Sequence, residues 1–210
     1  MTKPLTCTDP EKSFEKRQIH LKNKQLSSAI RKDDEKVPRE FNILATTSRG
    51  LERAACFELK YLLEQVGDPD ANVSKSGVRG VIVTKTVLDP FEVIKKLREI
   101  LVERPYEFRY LLRIIPVEAI VTTDLETIAN MAKQLSSKIA GDETYRVTVE
   151  KRFTTLHAQE IIEAVAANID RKVNLKNPNK ILLIEVMGKS TGISAIMPED
   201  IISVLKEKML

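Results

Sequence analysis

Apolar residues recur along the chain at strand spacing and at helix spacing. From residue 41 onward the two spacings alternate, and Gly and Pro residues mark the boundaries between them. Asp89-Pro90 indicates a helix start, because an Asp cap followed by Pro at the first helical position is typical of a helix N-terminus. The first six predicted elements are a strand at 41–47, a helix at 51–66, strands at 71–76 and 78–86, a helix at 90–104, and a strand region at 108–121 that is interrupted near Pro116.

This order, strand–helix–strand–strand–helix–strand, is the βαββαβ arrangement of a ferredoxin-like unit. A second set of helices and strands follows it. Its predicted members are helices at 123–139 and 157–169, strands at 144–152, 180–187 and 193–197, and a terminal helix from Pro198 with Ile201, Ile202, Leu205 and Met209 facing inward. The pattern therefore predicts an α+β fold with two units, at 41–116 and 117–210.

Residues 1–40 differ from the rest of the chain. They carry ten Lys and Arg against seven Asp and Glu, which is most of the net charge of +4. Their few apolar residues are too widely spaced to bury a core. We predict a charged extension, either a solvated tail or one amphipathic helix between Glu11 and Lys32 that docks on a partner or on the body of the protein.

Composition limits the possible classes of protein. The chain has 210 residues, of which 42% are hydrophobic, enough for a sizeable core. No apolar run approaches the roughly 18 residues of a membrane span, and the N-terminus lacks the apolar region of a signal peptide. Two cysteines, Cys7 and Cys56, form neither a disulfide framework nor a zinc pattern. We therefore expect a cytoplasmic protein without a metal.

Two short motifs resemble phosphate-binding loops but lack the context that such loops require. Gly188-Lys189-Ser190-Thr191 ends like a P-loop, yet Leu183 occupies the position of the first glycine and a strand follows instead of a helix. The glycines of residues 76–80 lead into a strand, whereas a dinucleotide fingerprint opens a helix. Both motifs are predicted to be turns between strands.

The sequence offers no evident catalytic centre. His157 lies at a predicted helix start and is interpreted as part of the helix cap region, and Cys56 lies near an apolar helix stripe and is interpreted as a packed residue. No nucleophile with an adjacent base, no acid–base carboxylate pair and no metal-ligand spacing is found. We predict that the chain is not an enzyme and needs no cofactor.

Several basic clusters without acidic residues lie in predicted loops and strands. Taken singly, each is typical of a solvated surface, but together they favour binding to a phosphate backbone. Ser48 and Arg49 precede a helix N-terminus, where backbone donors favour an anion. Aromatic residues are few and mostly predicted to be buried, which argues against a broad stacking platform. The candidate RNA-binding residues are Ser48, Arg49, Lys75, Arg79, Lys151, Arg152, Lys176, Asn177, Lys180 and Lys189.

The second unit resembles a THUMP domain, the RNA-binding module of several tRNA-modifying enzymes. The resemblance is carried by the order of four segments: TDLETIANMAKQLSSKI, YRVTVEKR, HAQEIIEAVAANI and KVNLKNPNKILLIEVMGKSTGISAI. The Leu175-Lys176-Asn177-Pro178 step before a strand and the later Gly-Ile-Ser strand are its most family-like parts. A ferredoxin-like unit commonly precedes a THUMP domain, so the resemblance covers residues 41–210.

Because little chain follows the last predicted strand, the protein is similar to the stand-alone THUMP proteins that act as adaptors for tRNA acetylation. This resemblance implies that it grips the acceptor stem and 3′ CCA end of tRNA and presents a cytidine to a separate RNA cytidine acetyltransferase for N4-acetylcytidine formation. Two alternatives remain open: an RNA-binding subunit of a tRNA thiolation or methylation enzyme, and a protein–protein adaptor that does not bind RNA.

Overall fold

The fold was analysed in a computed structural model, which describes residues 40–209. The predicted extension, including the helix proposed between Glu11 and Lys32, lies outside the described residues except for Glu40. Within the described part of the chain, no helix combines the length and the apolar composition that crossing a bilayer requires.

The described chain forms ten strands, five α-helices and three short 3-10 helices. The strands are β1 (Ile43–Thr47), β2 (Asn72–Lys75), β3 (Val81–Lys85), β4 (Leu111–Pro116), β5 (Ala119–Thr122), β6 (Thr144–Arg152), β7 (Lys172–Val173), β8 (Lys180–Met187), β9 (Ser190–Ile196) and β10 (Ile202–Ser203). The α-helices are α1 (Glu52–Gln65), α2 (Pro90–Glu103), α3 (Leu125–Leu135), α4 (Ala158–Ala166) and α5 (Val204–Glu207). The 3-10 helices are Pro105–Glu107, Ser136–Lys138 and Pro198–Asp200.

The first sheet has the strand order β10-β4-β1-β3-β2, and all its pairings are antiparallel. Strands β4, β1, β3 and β2 with helices α1 and α2 form the βαββαβ unit, so the ferredoxin-like prediction is confirmed. Helix α2 begins as predicted, with the Asp89 carboxylate accepting hydrogen bonds from the N–H groups of Phe91 and Glu92 at 2.8 and 3.1 Å. Helices α1 and α2 bury Leu59, Leu97 and their neighbours against one face of this sheet.

The second sheet has the order β5-β9-β8-β6-β7. Strand β6 runs parallel to β7 and β8, and the remaining pairs are antiparallel. Helices α3 and α4 cover its outer face, where Ile128 and Ile161 pack with Leu182 and Ile184 of β8. Helix α3 lies within the predicted helix at 123–139, and its N-cap is Asp124, whose carboxylate accepts from the Thr127 N–H at 2.8 Å.

The inner faces of the two sheets pack on each other. Successive side chains of a strand point to opposite faces, so β8 sends Leu182 and Ile184 to its helices and Ile181 and Leu183 toward the first sheet. There they share a core with Leu44 and other residues of the first sheet. The described chain is therefore built in four layers, helices outside and two sheets within.

A buried charge lies among these inner side chains. Glu185 has the same alternation phase as Leu183 and is only 1% exposed. Its two carboxylate oxygens accept hydrogen bonds from Arg113 of the first sheet at 2.6 Å and from Arg152 of the second at 2.8 Å. One carboxylate thus connects the two sheets, and each of its two oxygens has an arginine as its partner.

The break near Pro116 divides the predicted strand region between the two sheets. Strand β4 pairs with β1 in the first sheet and β5 pairs with β9 in the second. Pro116 is the last residue of β4. The short segment after it therefore carries the chain from one sheet to the other.

The predicted terminal helix from Pro198 is wrong. A 3-10 turn, strand β10 and the four-residue helix α5 replace it. Ile202 pairs with Ile114 of β4, and Ile202 and Val204 are buried in the core beneath the first sheet. The division at 41–116 and 117–210 stays a prediction, and by sheet membership β10 lies with the first unit.

We predict that Glu185→Gln lowers the free energy of unfolding by about 3 kcal/mol, because it leaves two partly buried arginines without their counter-charge. Urea unfolding followed by far-UV circular dichroism measures the change. Glu150→Gln is the matched control, since Glu150 is the exposed neighbour in register with Glu185 on β6. The control should change stability by no more than about 0.5 kcal/mol. Equal stability of the Glu185 variant and the parent protein would contradict the prediction.

Candidate functional site

A basic groove opens where strand ends of the two sheets meet. Its volume is about 710 Å³. The first sheet contributes the end of β1, the turn between β2 and β3, and Arg113 of β4, and the second sheet contributes the end of β6. We call this surface the basic groove; its lining residues are Thr46, Thr47, Arg49, Val78, Arg79, Gly80, Arg113, Glu150, Lys151, Arg152 and Phe153.

The carboxylate of Glu52, the first residue of α1, holds together the two loops that carry Arg49 and Arg79. One oxygen accepts hydrogen bonds from the Gly80 N–H at 2.7 Å and the Gly50 N–H at 3.1 Å. Both arginines adjoin these anchored residues in sequence. The positions of the two guanidinium-bearing segments thus depend on one carboxylate.

Gly80 is required for the close approach of these loops. Its φ of +75° lies in the left-handed region, and a Cβ there would come within 3.0 Å of the Thr47 carbonyl oxygen and 3.8 Å of the Arg49 Cγ. The Gly80 carbonyl in turn accepts a hydrogen bond from the Thr47 N–H at 3.0 Å. A side chain at this position would push the turn away from β1.

Hydrogen bonding stabilises the charged form of Glu52. Burial raises the pKa of its carboxyl, but the N–H groups of Gly80, Glu52 and Gly50 together with the charge of Lys75 outweigh burial. The net result is a pKa below the ordinary value of 4.5. The carboxylate therefore remains ionised, and able to hold both loops, throughout the neutral range.

Positive charge dominates the lining of the basic groove. Five basic side chains face one acidic side chain, Glu150. Arg113 and Arg152 are held in place by Glu185, which consumes part of their hydrogen-bonding capacity. Lys151 donates to the Leu156 carbonyl at 3.0 Å. Arg49 and Arg79 are exposed.

The structure brings together only some of the predicted RNA-binding residues. Arg49, Arg79, Lys151 and Arg152 line the basic groove. Ser48 lies beside Arg49 in the loop after β1, and Lys75 ends β2 on the side of Glu52. Lys189 lies in the predicted turn between β8 and β9, next to Gly188, whose N–H donates to the Arg152 carbonyl at 2.9 Å.

The remaining three candidates lie at the opposite end of the second sheet. Lys176 and Asn177 are exposed in the loop before β8, where both N–H groups donate to the Asn174 side-chain oxygen. Lys180 begins β8, seven residues from the groove end, or about 23 Å along the strand. It lines a second cleft of about 460 Å³ that also contains Glu118, Glu199 and Asp200.

Arg113 and Phe153 are two of the groove residues that sequence reasoning missed. Arg113 is the one charged residue in the apolar strand β4. A charge in such a strand was the sequence signal that could have identified it as a functional residue. Phe153 follows β6 directly and is 73% exposed. The prediction that aromatic residues are mostly buried is wrong for the described residues, because Phe57, Tyr61, Tyr106, Tyr110 and Phe153 are exposed.

Among residues 40–209 no three His, Cys, Asp or Glu side chains are grouped so as to hold a metal ion. Cys56 packs against the first core, as predicted, and burial raises the pKa of its thiol to about 11. His157 is the N-cap residue of α4, as predicted, and its N–H donates to Glu160 at 3.0 Å.

Comparison with known proteins identifies the second sheet and its helices. Residues 122–195 match the THUMP domain family, so the chain contains a THUMP domain. The match runs from the end of β5 to β9 and includes α3, α4 and the end of β6 that lines the basic groove. The predicted resemblance is thus confirmed at the level of the domain.

Relatives share more than this domain. An archaeal protein of Methanocaldococcus jannaschii, named uncharacterized protein MJ0421, is 26% identical over 167 residues, which are 77% of this chain and 42% of that protein. The crystal structure of PH1313 from Pyrococcus horikoshii has a TM-score of 0.56 at 20% identity, and the match covers 75% of this chain and 54% of that one. TrmN from Thermus thermophilus has a TM-score of 0.50 at 16% identity, with 74% and 45% covered.

These matches include the first sheet and show that both layers of sheet recur as one fold. The chain spans about half the length, or less, of each of these relatives. At such identities the two structures establish the fold alone.

We predict that Glu52 makes stability depend on acid pH. Its pKa is lower in the folded state than in the unfolded chain, so its contribution is present above pH 4.5 and is lost as pH falls through the folded-state pKa. Glu52→Gln retains an acceptor for both loops but removes this titration. Urea unfolding between pH 7 and pH 3 should show a smaller acid loss for the variant than for the parent protein.

Glu64→Gln, an exposed site on the same helix, is the control for the Glu52 variant. It should retain the pH profile of the parent protein. If the Glu52 variant loses stability in acid to the same extent as the parent, the carboxylate is not the group that holds the loops.

Proposed function

We propose that this protein binds tRNA in the basic groove and presents it to a separate RNA cytidine acetyltransferase for N4-acetylcytidine formation. The observation that carries the proposal is the convergence of five basic side chains, from both sheets, on one groove at the edge of a THUMP domain. A phosphate backbone is the ligand chemistry that matches such a groove.

The arrangement favours phosphate over a random anion. Arg113 and Arg152 are held by Glu185, and the loops of Arg49 and Arg79 are held by Glu52. Cations that are already positioned lose less side-chain entropy when they bind. Arginine also donates two parallel hydrogen bonds to one phosphate, which a lysine does not do.

The proposed RNA is the acceptor stem and 3′ end of tRNA. A-form helices are recognised through phosphates, 2′-hydroxyls and shape, and single-stranded ends through stacking and hydrogen bonds to bases. Arg49, Arg79, Lys151 and Arg152 are the proposed phosphate contacts in the groove. Ser48, Lys75 and Lys189 flank it, and Lys176, Asn177 and Lys180 extend the proposed surface along the second sheet.

The adaptor role rests on the resemblance to the stand-alone THUMP proteins. In this role the protein contributes binding and orientation, and the acetyltransferase contributes the chemistry. The alternatives are an RNA-binding subunit of a thiolation or methylation enzyme, and a protein adaptor that does not contact RNA. The basic groove favours the RNA-binding roles over the last.

We predict that the double variant Arg49→Glu/Arg79→Glu weakens tRNA binding at least about tenfold. It should also lower the slope of log K against log salt by about two, because each arginine is expected to neutralise one phosphate. Fluorescence anisotropy with labelled tRNA over a salt series measures both quantities. Lys60→Glu/Lys133→Glu makes the same change in net charge at exposed lysines of α1 and α3 and should have a much smaller effect.

Equal losses of affinity in the two double variants would show that net charge, not the groove, governs binding. If the parent protein does not bind tRNA, the result favours the alternative of a protein–protein adaptor that does not bind RNA. Thermal unfolding of each variant checks that the fold is intact.

The modification itself can be identified by mass spectrometry of tRNA nucleosides from cells that lack the protein. The adaptor proposal predicts loss of N4-acetylcytidine with 4-thiouridine and methylated nucleosides unchanged. Restoration by the parent protein, but not by the Arg49/Arg79 variant, ties this modification to the groove. Loss of a thiolated or methylated nucleoside instead would support the corresponding alternative.

A further inference from the structure

Phe153 combines two features that packing among residues 40–209 does not explain. Its side chain is 73% exposed, so it gains little from burial. Its φ is +55°, and among residues 40–209 it is the one non-glycine residue with a positive φ. Glycine and asparagine adopt this conformation most readily, and a bulky aromatic residue there is an outlier.

The backbone around Phe153 is held on both sides. Before it, the Arg152 carbonyl accepts the Gly188 N–H at 2.9 Å. After it, the Leu156 N–H donates to the Thr154 hydroxyl at 3.2 Å, and Lys151 donates to the Leu156 carbonyl at 3.0 Å. These contacts hold the backbone on both sides of the residue whose exposed ring lines the basic groove.

The surroundings of the ring define its partner. It lines the same groove as Arg49, Arg79, Arg113 and Arg152. Cations beside an exposed aromatic ring are the recurring arrangement of single-stranded nucleic-acid sites, in which phosphates bind the cations and a base stacks on the ring. A nucleobase is flat and apolar on its faces, so it covers the ring without a deep pocket.

We propose that Phe153 is the platform on which an unpaired base of the bound RNA stacks. The proposal rests on the proposed function and adds to it a residue that distinguishes unpaired from duplex RNA. Strain at a solvent-exposed position then has a functional explanation, because a backbone that turns at Phe153 presents the ring to the groove instead of continuing β6.

Phe153→Ala in the full chain tests the proposal, with a short single-stranded RNA and a duplex of the same sequence as probes beside tRNA. Stacking is worth about 5- to 150-fold in affinity per base. The variant should lose affinity by that factor for the single strand and for tRNA, and retain its affinity for the duplex. Phe57→Ala is the control, since Phe57 is 64% exposed on α1 and does not line the groove.

A second measurement uses the absence of tryptophan from the sequence. Phe153→Trp introduces a single indole fluorophore and preserves an aromatic face. Its fluorescence should be quenched by the single strand and by tRNA but not by the duplex, and its affinity should match that of the parent protein. Phe57→Trp should show no quenching with any of the three RNAs.

The outcomes separate this proposal from the proposed function. Suppose that the parent protein binds tRNA with the expected salt dependence and that Phe153→Ala binds each of the three RNAs as tightly as the parent does. The stacking proposal is then wrong, and the proposed function stands. An equal loss of affinity for the single strand and for the duplex also overturns the stacking proposal. So does a Phe153→Ala variant that binds RNA with the parent's affinity but no longer binds the acetyltransferase. Failure of the parent protein to bind tRNA overturns both proposals.

Discussion

The two sheets share one buried carboxylate, and the basic groove depends on it. Glu185 lies among apolar side chains and is compensated by Arg113 and Arg152, which come from different sheets. Burying one carboxylate fully and two guanidinium groups partly is costly, and good geometry recovers that cost only when the sheets keep their relative position. Both of these arginines also line the basic groove. The same two ion pairs of Glu185 therefore hold the sheets together and position two of the groove's positive charges.

The rest of the groove repeats this arrangement on a smaller scale. Glu52 holds two loops through their N–H groups, and the arginines of those loops remain free for a ligand. In both places an acidic residue positions basic residues, although the overall potential stays positive. Acidic residues beside a basic groove lower its positive charge, but here they position the basic residues.

Local patterns predicted most of the elements, because helix and strand spacing, caps and turns are properties of neighbouring residues. Strand β6 and strand β8 have the predicted bounds, and Asp89 is the predicted cap of α2. The groove was less predictable, because its lining comes from four separate segments. Arg113, for example, forms its ion pair with Glu185, which is 72 residues away in the sequence. Pairing over that distance leaves no local signal, and the positive φ of Phe153 contradicts the preference of its residue type.

Strand β10 has a consequence for how the protein is made. Ile202 and Val204 complete the core beneath the first sheet, yet the ribosome synthesises them only after every strand of the second sheet. During translation, β4 therefore has an open edge until its neighbour arrives, and such edges attract other chains. Strands β1 to β4 are synthesised before the THUMP domain, but their sheet is completed by β10 only after it.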